Sequence, residues 1–209
     1  MAPRAKATRA KKKTTAHKVA RKAAPKAAHK TAVKASAKHT PRMHAGAKEQ
    51  FLNAFGREHE TTLRVLRAYP RDKHELKPHG KSKSAAELAW VFPMESMLAH
   101  KGLTEGFDWS KPMPASPPVP KSLDAIIAAY EAGHAKVADC VEDMSDDDLM
   151  ETVQFPVAPR TIGAVPKIEF LNMLLADQIH HRGQFSVYLR MADAKVPSIY
   201  GPTADEPWL

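Results

Sequence analysis

From Pro166 to Ala194 the chain reads PKIEFLNMLLADQIHHRGQFSVYLRMADA, with no proline after its first residue. Proline suits a first helical position, because its missing N–H would have no intrahelical partner there. The segment therefore predicts one long helix. Set Asp177 at zero on a helical wheel of about 100° per residue. Phe170, Leu174, His181, Gln184 and Tyr188 then all fall within roughly 60° of it. One face begins apolar and turns polar midway, as a row of Asp177, His181, Gln184 and Tyr188. The residues flanking that row (Leu171, Met173, Phe185, Leu189 and Met191) are large and apolar, which predicts that the row points inward. Buried polar groups need partners, either one another or a bound ion. Both readings of the row stay open from periodicity alone.

Three more amphipathic segments precede it. Phe51, Leu52, Phe55, His59, Thr62, Leu63 and Leu66 have helical spacing from about Ala47 to Tyr69, where Pro70 stops it. Residues 70–83 form a charged connection. Its Gly80-Lys81-Ser82 lacks the upstream glycine and strand of a phosphate-binding loop. A second helix is expected from Ser84 toward His100, with Pro93 imposing a kink or a late start. Gly102 to Pro120 is a Pro-rich loop carrying Phe107 and Trp109, long enough to serve as a lid or wall. Ser122 caps a third helix, Leu123 to Met144. Asp146, Asp147 and Asp148 favour a further helical turn or a solvated one. Residues 151–165 read as an extended or irregular linker into the long helix, and Tyr200, Trp208 and Leu209 as anchors of a coiled C-terminal segment. With no convincing strand, the pattern predicts an all-α fold, a four-helix bundle whose facing helices could build a metal site.

Charge divides the chain. Through Lys48 there are fifteen Lys or Arg and no acid, whereas residues 49–209 hold seventeen bases and all twenty-three acids. A basic arm of about +15 is thus joined to a body of −6, which sets the domain expectation at a disordered tail, 1–46, and a folded body, 47–209. The arm is rich in Lys, Ala, Pro and Thr and cannot bury enough apolar surface to offset chain entropy. It carries Lys11, Lys12 and Lys13, then Lys18, Lys22, Lys26, Lys30, Lys34 and Lys38 at every fourth position. On a helix that ladder repels itself until phosphates neutralise it. Nucleic acid held by charge alone is therefore the expected partner, with a solubilising arm as the plainer reading. No aromatic is interleaved for base stacking. The composition resembles the tails of linker histones and bacterial histone-like proteins. No apolar run approaches the roughly 18 residues of a membrane span, and the first fifty residues lack the apolar core of a secretory signal. The single cysteine, Cys140, excludes an internal disulfide framework and reads as a packing residue. Location in the cytoplasm, associated with the nucleoid, is the expectation.

Asp177-Gln178-Ile179-His180-His181-Arg182-Gly183-Gln184, then Tyr188-Leu189-Arg190, then Val196-Pro197-Ser198-Ile199-Tyr200-Gly201-Pro202 resemble the DinB family. Ser84-Ala85-Ala86-Glu87-Leu88-Ala89-Trp90 is similar to the start of that family's second helix. The resemblance runs from Ala47 to the C-terminus and leaves out the basic arm. It implies an up-down-up-down four-helix bundle, frequent dimers, and often a divalent metal held by three histidines. One of these comes from helix two, and two lie four apart on the last helix. Members include thiol-dependent transferases and isomerases.

This chain departs from that pattern at two positions. The last-helix pair maps onto Asp177 and His181, and the helix-two ligand maps onto Val91, which cannot bind metal. A carboxylate and an imidazole at i,i+4 share one helical face and suit Zn, Ni, Fe or Mn. Glu95, one turn after Val91, or His59 on helix one would supply the third ligand. His180, Gln184, Arg182 and Tyr188 are expected around the ion, Gln184 bracing His181 and Arg182 with Tyr188 orienting an anionic substrate. Two functions follow: a metal-dependent hydrolase or thiol transferase acting on a small molecule, or a non-catalytic bundle tethered to nucleic acid by its arm.

Overall fold

The structure is a computed structural model that describes residues 46–112 and 114–209. The chain forms helices α1 (Ala47–Arg67), α2 (Ala85–Ala89), α3 (Val91–Thr104), α4 (Leu123–Glu142) and α5 (Asp146–Met150). Strands β1 (Thr152–Ala158) and β2 (Thr161–Pro166) follow, and α6 (Lys167–Met191) closes the series. The expectations for residues 1–45, including the lysine ladder, lie outside the described residues. None of the helices described is long and apolar enough to cross a membrane.

Local chemistry explains most boundaries. Ser84 opens α2 with a capping box: its hydroxyl accepts from the Glu87 N–H at 3.2 Å, and its own N–H donates to Glu87 Oε2 at 2.6 Å. Ser122 accepts from the Ala125 N–H at 3.2 Å to start α4. Ser145 and Asp148 form a second capping box, so the three aspartates do open a short helix. Pro93 acts as a late start. The helix breaks at Trp90, and Pro93 falls in the first turn of α3, where its missing N–H removes no bond.

Four long helices pack in a ring, α1 against α6, α6 against α3, α3 against α4 and α4 against α1. Their core has two halves. One joins the C-terminal ends of α1 and α6 (Leu66, Phe185, Leu189) to α2 and the N-terminal ends of α3 and α4 (Phe92, Ile126). The other joins the opposite ends, including Phe55, Leu103, Val141 and Leu171, to α5 and the strands. So α1 and α6 run in one direction and α3 and α4 in the other. This corrects the up-down-up-down expectation to up-down-down-up. The reason is the Pro-rich loop, which returns along the whole bundle instead of turning at one end. Near its start Phe107 packs on Phe155 and Phe170, at 5.6 and 6.1 Å between ring centroids, and Trp109 Nε1 donates to the Gln154 carbonyl at 2.8 Å. Farther on, the Pro117 carbonyl accepts from Trp90 Nε1 at 3.1 Å.

The linker before α6 is also corrected: it is an antiparallel hairpin, with Val153 opposite Val165 and a bulge between Pro156 and Ala158. Pro156 and Pro159 hide the alternation of Val153, Phe155 and Val157 from sequence reading, and Arg160 takes the turn at φ 60° without the usual glycine. Of the expected C-terminal anchors, Tyr200 and Trp208 hold by hydrogen bonds, to Glu58 Oε2 at 2.6 Å and to Ser198 Oγ at 3.0 Å. Leu209 is fully exposed and anchors nothing.

Candidate metal centre

The inward face of α6 is rotated from the one expected. Its buried stripe passes through Leu171, Leu174, Gln178, Arg182, Phe185 and Leu189, whereas Asp177 and Gln184 are exposed and His181 is half-buried. Tyr188 alone of the expected row is buried. The other three stand at the margin where α6 meets α3, so a helix face that is polar in its middle is a rim here.

At that rim α3 contributes Glu95. It is 6% exposed, and neither carboxylate oxygen has a hydrogen-bond partner in the protein. Burial, then the neighbouring Asp177 carboxylate, raises its pKa to about 10. His181 Nε2 lies 3.8 Å from Glu95 Oε1 and 3.5 Å from Asp177 Oδ2. Among the described residues these three form a group whose donor atoms all lie within 4.8 Å of one another. Two of the three separations, 3.5 and 3.8 Å, are of the size found between ligands of one ion, and the set would contract from within 4.8 Å to hold it. Burial and the Asp177 carboxylate keep the Glu95 carboxyl protonated when alone, and a bound cation would favour its charged form. The residues fit a divalent metal.

Around this set Gln184 acts as a brace. Its Oε1 is 3.2 Å from His181 Nδ1, and its Nε2 is 2.8 Å from His180 Nε2. With Nδ1–H donating to Gln184, the lone pair of His181 is on Nε2, facing Glu95 and Asp177. Tyr188 points elsewhere, its hydroxyl donating to the Lys83 carbonyl at 2.9 Å. Val91, half-buried, packs against the apolar core and contributes no donor.

Two expected residues do not reach the set. His59 is buried and stacks on His134 with ring centroids 3.7 Å apart; it stands outside the donor group. Arg182, 1% exposed, turns to α1: it donates to Glu58 Oε2 at 2.6 Å, to the Glu58 carbonyl at 3.1 Å and to Thr62 Oγ1 at 3.2 Å. Its guanidinium also bonds the Tyr200 hydroxyl. A guanidinium so enclosed is occupied by structure and is not free to orient a substrate. Sequence reading passed over Glu58 and Gln178, the latter bonded through Oε1 to the Tyr130 hydroxyl at 3.0 Å. The available signal was the spacing Leu171, Leu174, Gln178, Arg182, Phe185, which is the apolar stripe continued through two polar residues.

Comparison with known proteins agrees with this architecture. The model of the DinB family matches residues 39–208. The uncharacterized protein YrdA of Bacillus subtilis (strain 168) is 29% identical over 161 residues, covering 76% of this chain and 90% of its own length. Among solved structures, a DinB-like protein from Bacillus cereus ATCC 10987 is similar with a TM-score of 0.59 and 27% identity, over 73% of this chain and 97% of that one. The DinB-like protein YjoA of Bacillus subtilis, at 18% identity, shares the fold with a TM-score of 0.55 over 72% of this chain and 97% of its own.

Proposed function

The chain belongs to the DinB family, and from that premise we propose that it is a divalent-metal enzyme, a hydrolase or thiol transferase, whose ion is held by Glu95, Asp177 and His181. The observation that carries this reading is Glu95, a buried carboxylate with both oxygens unpartnered, beside an aspartate and a histidine. Three protein ligands would leave room for water or substrate on the ion, as in catalytic rather than structural sites. A divalent ion there supplies Lewis acidity toward a carbonyl oxygen or a thiol sulfur. The protein's own part is defined by geometry. Glu95 would give up, on binding the ion, the proton that burial otherwise keeps on it, Gln184 fixes the His181 ring, and Tyr188 ties residues 81–83 to α6 beside the site.

Metal analysis of the purified full chain after incubation with Zn, Ni, Fe or Mn tests the proposal. The wild type is expected to retain one of these stoichiometrically, and Glu95→Gln and His181→Ala to lose it. Gln184→Ala is expected to weaken affinity about 10–100-fold, the usual cost of removing a ligand's brace. A wild type that takes up none of the four overturns the reading.

A second reading concerns the basic arm. Fifteen cations and no anion through Lys48, against a body of net −6, support attachment of the bundle to nucleic acid through phosphate contacts.

A further inference from the structure

Two clefts that differ in charge flank the candidate metal centre. Toward the C-terminal half of α6, a cleft of about 530 Å³ is lined by Lys81, Lys83, Gln184 and Tyr188 together with the apolar Leu88 and Val187, with His181 in its wall. Toward the N-terminal half, a cleft of about 590 Å³ is lined by Leu98, Phe155, Met173 and Leu174, with Glu95 and Asp177 in its wall. Since His181 Nε2 is 3.5 Å from Asp177 Oδ2 and 3.8 Å from Glu95 Oε1, the donor group is the boundary common to both. From Met173 to Tyr188 the helix rises about 22 Å at 1.5 Å per residue, so the two clefts lie along one face of α6 over roughly that length with the donor group between them.

Charge sets a direction along the groove. Lys73 and Lys77 nearby are paired, with Asp193 and Glu87, each at 3.3 Å. Among the described residues the ammonium groups of Lys81 and Lys83 have no carboxylate partner, so the polar end carries two unneutralised cations. The opposite end offers apolar side chains, and Met173 there is 43% exposed. Behind it Phe107 and Trp109 of the Pro-rich loop back Phe155, at 5.6 and 6.1 Å between centroids, which makes that wall firm. An anion is favoured at the lysine end and disfavoured near Asp177 at the other.

We propose that the groove takes anionic amphiphiles: a phosphate, sulfonate or carboxylate group against Lys81 and Lys83, and an alkyl, acyl or aryl group against Leu98, Phe155, Met173 and Leu174. The bond to be acted on lies between them, beside Glu95, Asp177 and His181. The assignment of that middle section as the reacting centre rests on the metal reading above; the groove and its polarity do not.

The test is a titration of the full chain carrying ¹³C-labelled Met, Leu and Val methyl groups, with and without zinc. The probes are dodecyl phosphate below its micellar concentration, inorganic phosphate, and uncharged decyl glucoside. Dodecyl phosphate is expected to shift the methyl signals of Leu98 and Met173 and those of Leu88 and Val187 at one common midpoint. Inorganic phosphate should move only the second pair, and decyl glucoside only the first. The double variant Lys81→Ser/Lys83→Ser and the variant Met173→Ser should each raise the midpoint about tenfold, the size of losing one charge-assisted or apolar contact. Anion binding by the basic arm is common to all variants and does not report at these methyls. Shifts confined to one end, or a midpoint unmoved by either variant, overturn the proposal. Zinc content of the same samples separates the two readings. Coupled shifts in a chain that takes up none of Zn, Ni, Fe or Mn overturn the metal centre and leave the groove, whereas stoichiometric zinc without coupled shifts overturns the groove alone.

Discussion

Arg182 and Glu58 sit on parallel helices 124 residues apart in sequence, joined by a 2.6 Å ion pair with the arginine almost wholly buried. Removing one partner of such a pair strands the other charge, at a cost of about 3–5 kcal/mol. Glu58→Ala is therefore expected to lower the melting temperature by about 10 °C, since a domain of this size shifts by roughly 2–4 °C per kcal/mol. A change near zero in calorimetry would show that Tyr200 and Thr62 hold the guanidinium without it. Titration offers a second test at this scale. Burial, then the charges of His134 and Arg67, lowers the His59 pKa from 6.5 to about 3. Burial also lowers that of His134, partly offset by the Phe55 backbone and Glu60. Burial disfavours the protonated form of both in the fold, and His59 stays neutral down to about 3, while in the unfolded chain they take up protons near 6.5. The unfolded state thus binds more protons below that pH. The His59 contribution is flat above about 6.5 and falls as pH drops toward 3, by about 1.4 kcal/mol per unit. Glu95, raised to about 10, contributes a slope of the opposite sign above about 4.5 in the metal-free chain. The His59 slope is therefore read as a difference between wild type and variant. In melting curves between about pH 7.5 and 5, the stability of the wild type minus that of His59→Leu should fall with this slope as pH drops below about 6.5; a difference constant with pH would assign the acid sensitivity elsewhere.

Between elements, the closest approach that fixes the site is α3 on α6. A Cβ added at Gly102 would lie 2.5 Å from Phe170 Cε1 and 2.8 Å from Cζ, so this glycine is what lets the helices approach. Gly102→Ala is expected to destabilise by about 1–3 kcal/mol through overpacking. It should also move Glu95, seven residues up the same helix, away from Asp177 and His181 and so weaken metal uptake. Phe170→Leu in the Gly102→Ala background should restore part of both by freeing space. If the double variant is no better than the sum of the singles, denaturant unfolding will show that the contact is not the coupling. The hairpin matters at this level because Phe155 of β1 completes the apolar cleft.

For the molecule as a whole, the question is whether the basic arm and the bundle are separate units. The apolar periodicity lies in residues 47–209, and α1 begins at Ala47. Deleting residues 1–46 is expected to leave the melting temperature unchanged; cooperative loss of structure would place part of the arm in the fold. The same deletion should abolish duplex DNA binding. In the full chain six to ten engaged phosphates would lower affinity on the order of 10³–10⁵-fold between 50 and 200 mM salt, without preference among duplex sequences. Salt-independent binding would overturn charge as its basis.

The sequence by itself determined the long helices, the serine cap at Ser122, an irregularity at Pro93 (either a kink or a late start), and Asp177 and His181 on one face of α6. All of these depend on contacts within a few residues, where spacing and capping chemistry act directly. Glu95 was one of two alternatives for the third donor, because which residue of α3 or α1 meets α6 is a matter of helix position and not of local pattern. Tertiary structure alone chose it over His59, which the α4 histidine His134 holds in a stack instead. It also decided the helix directions, since a Pro-rich loop can turn back at once or run the length of a bundle, and only its contacts at Gln154 and Pro117 distinguish the two. The inward rotation of α6 was decided in the same way. Gln178 and Arg182 look like surface residues in sequence, and what makes them interior is Tyr130 and Glu58 arriving from other helices to satisfy them.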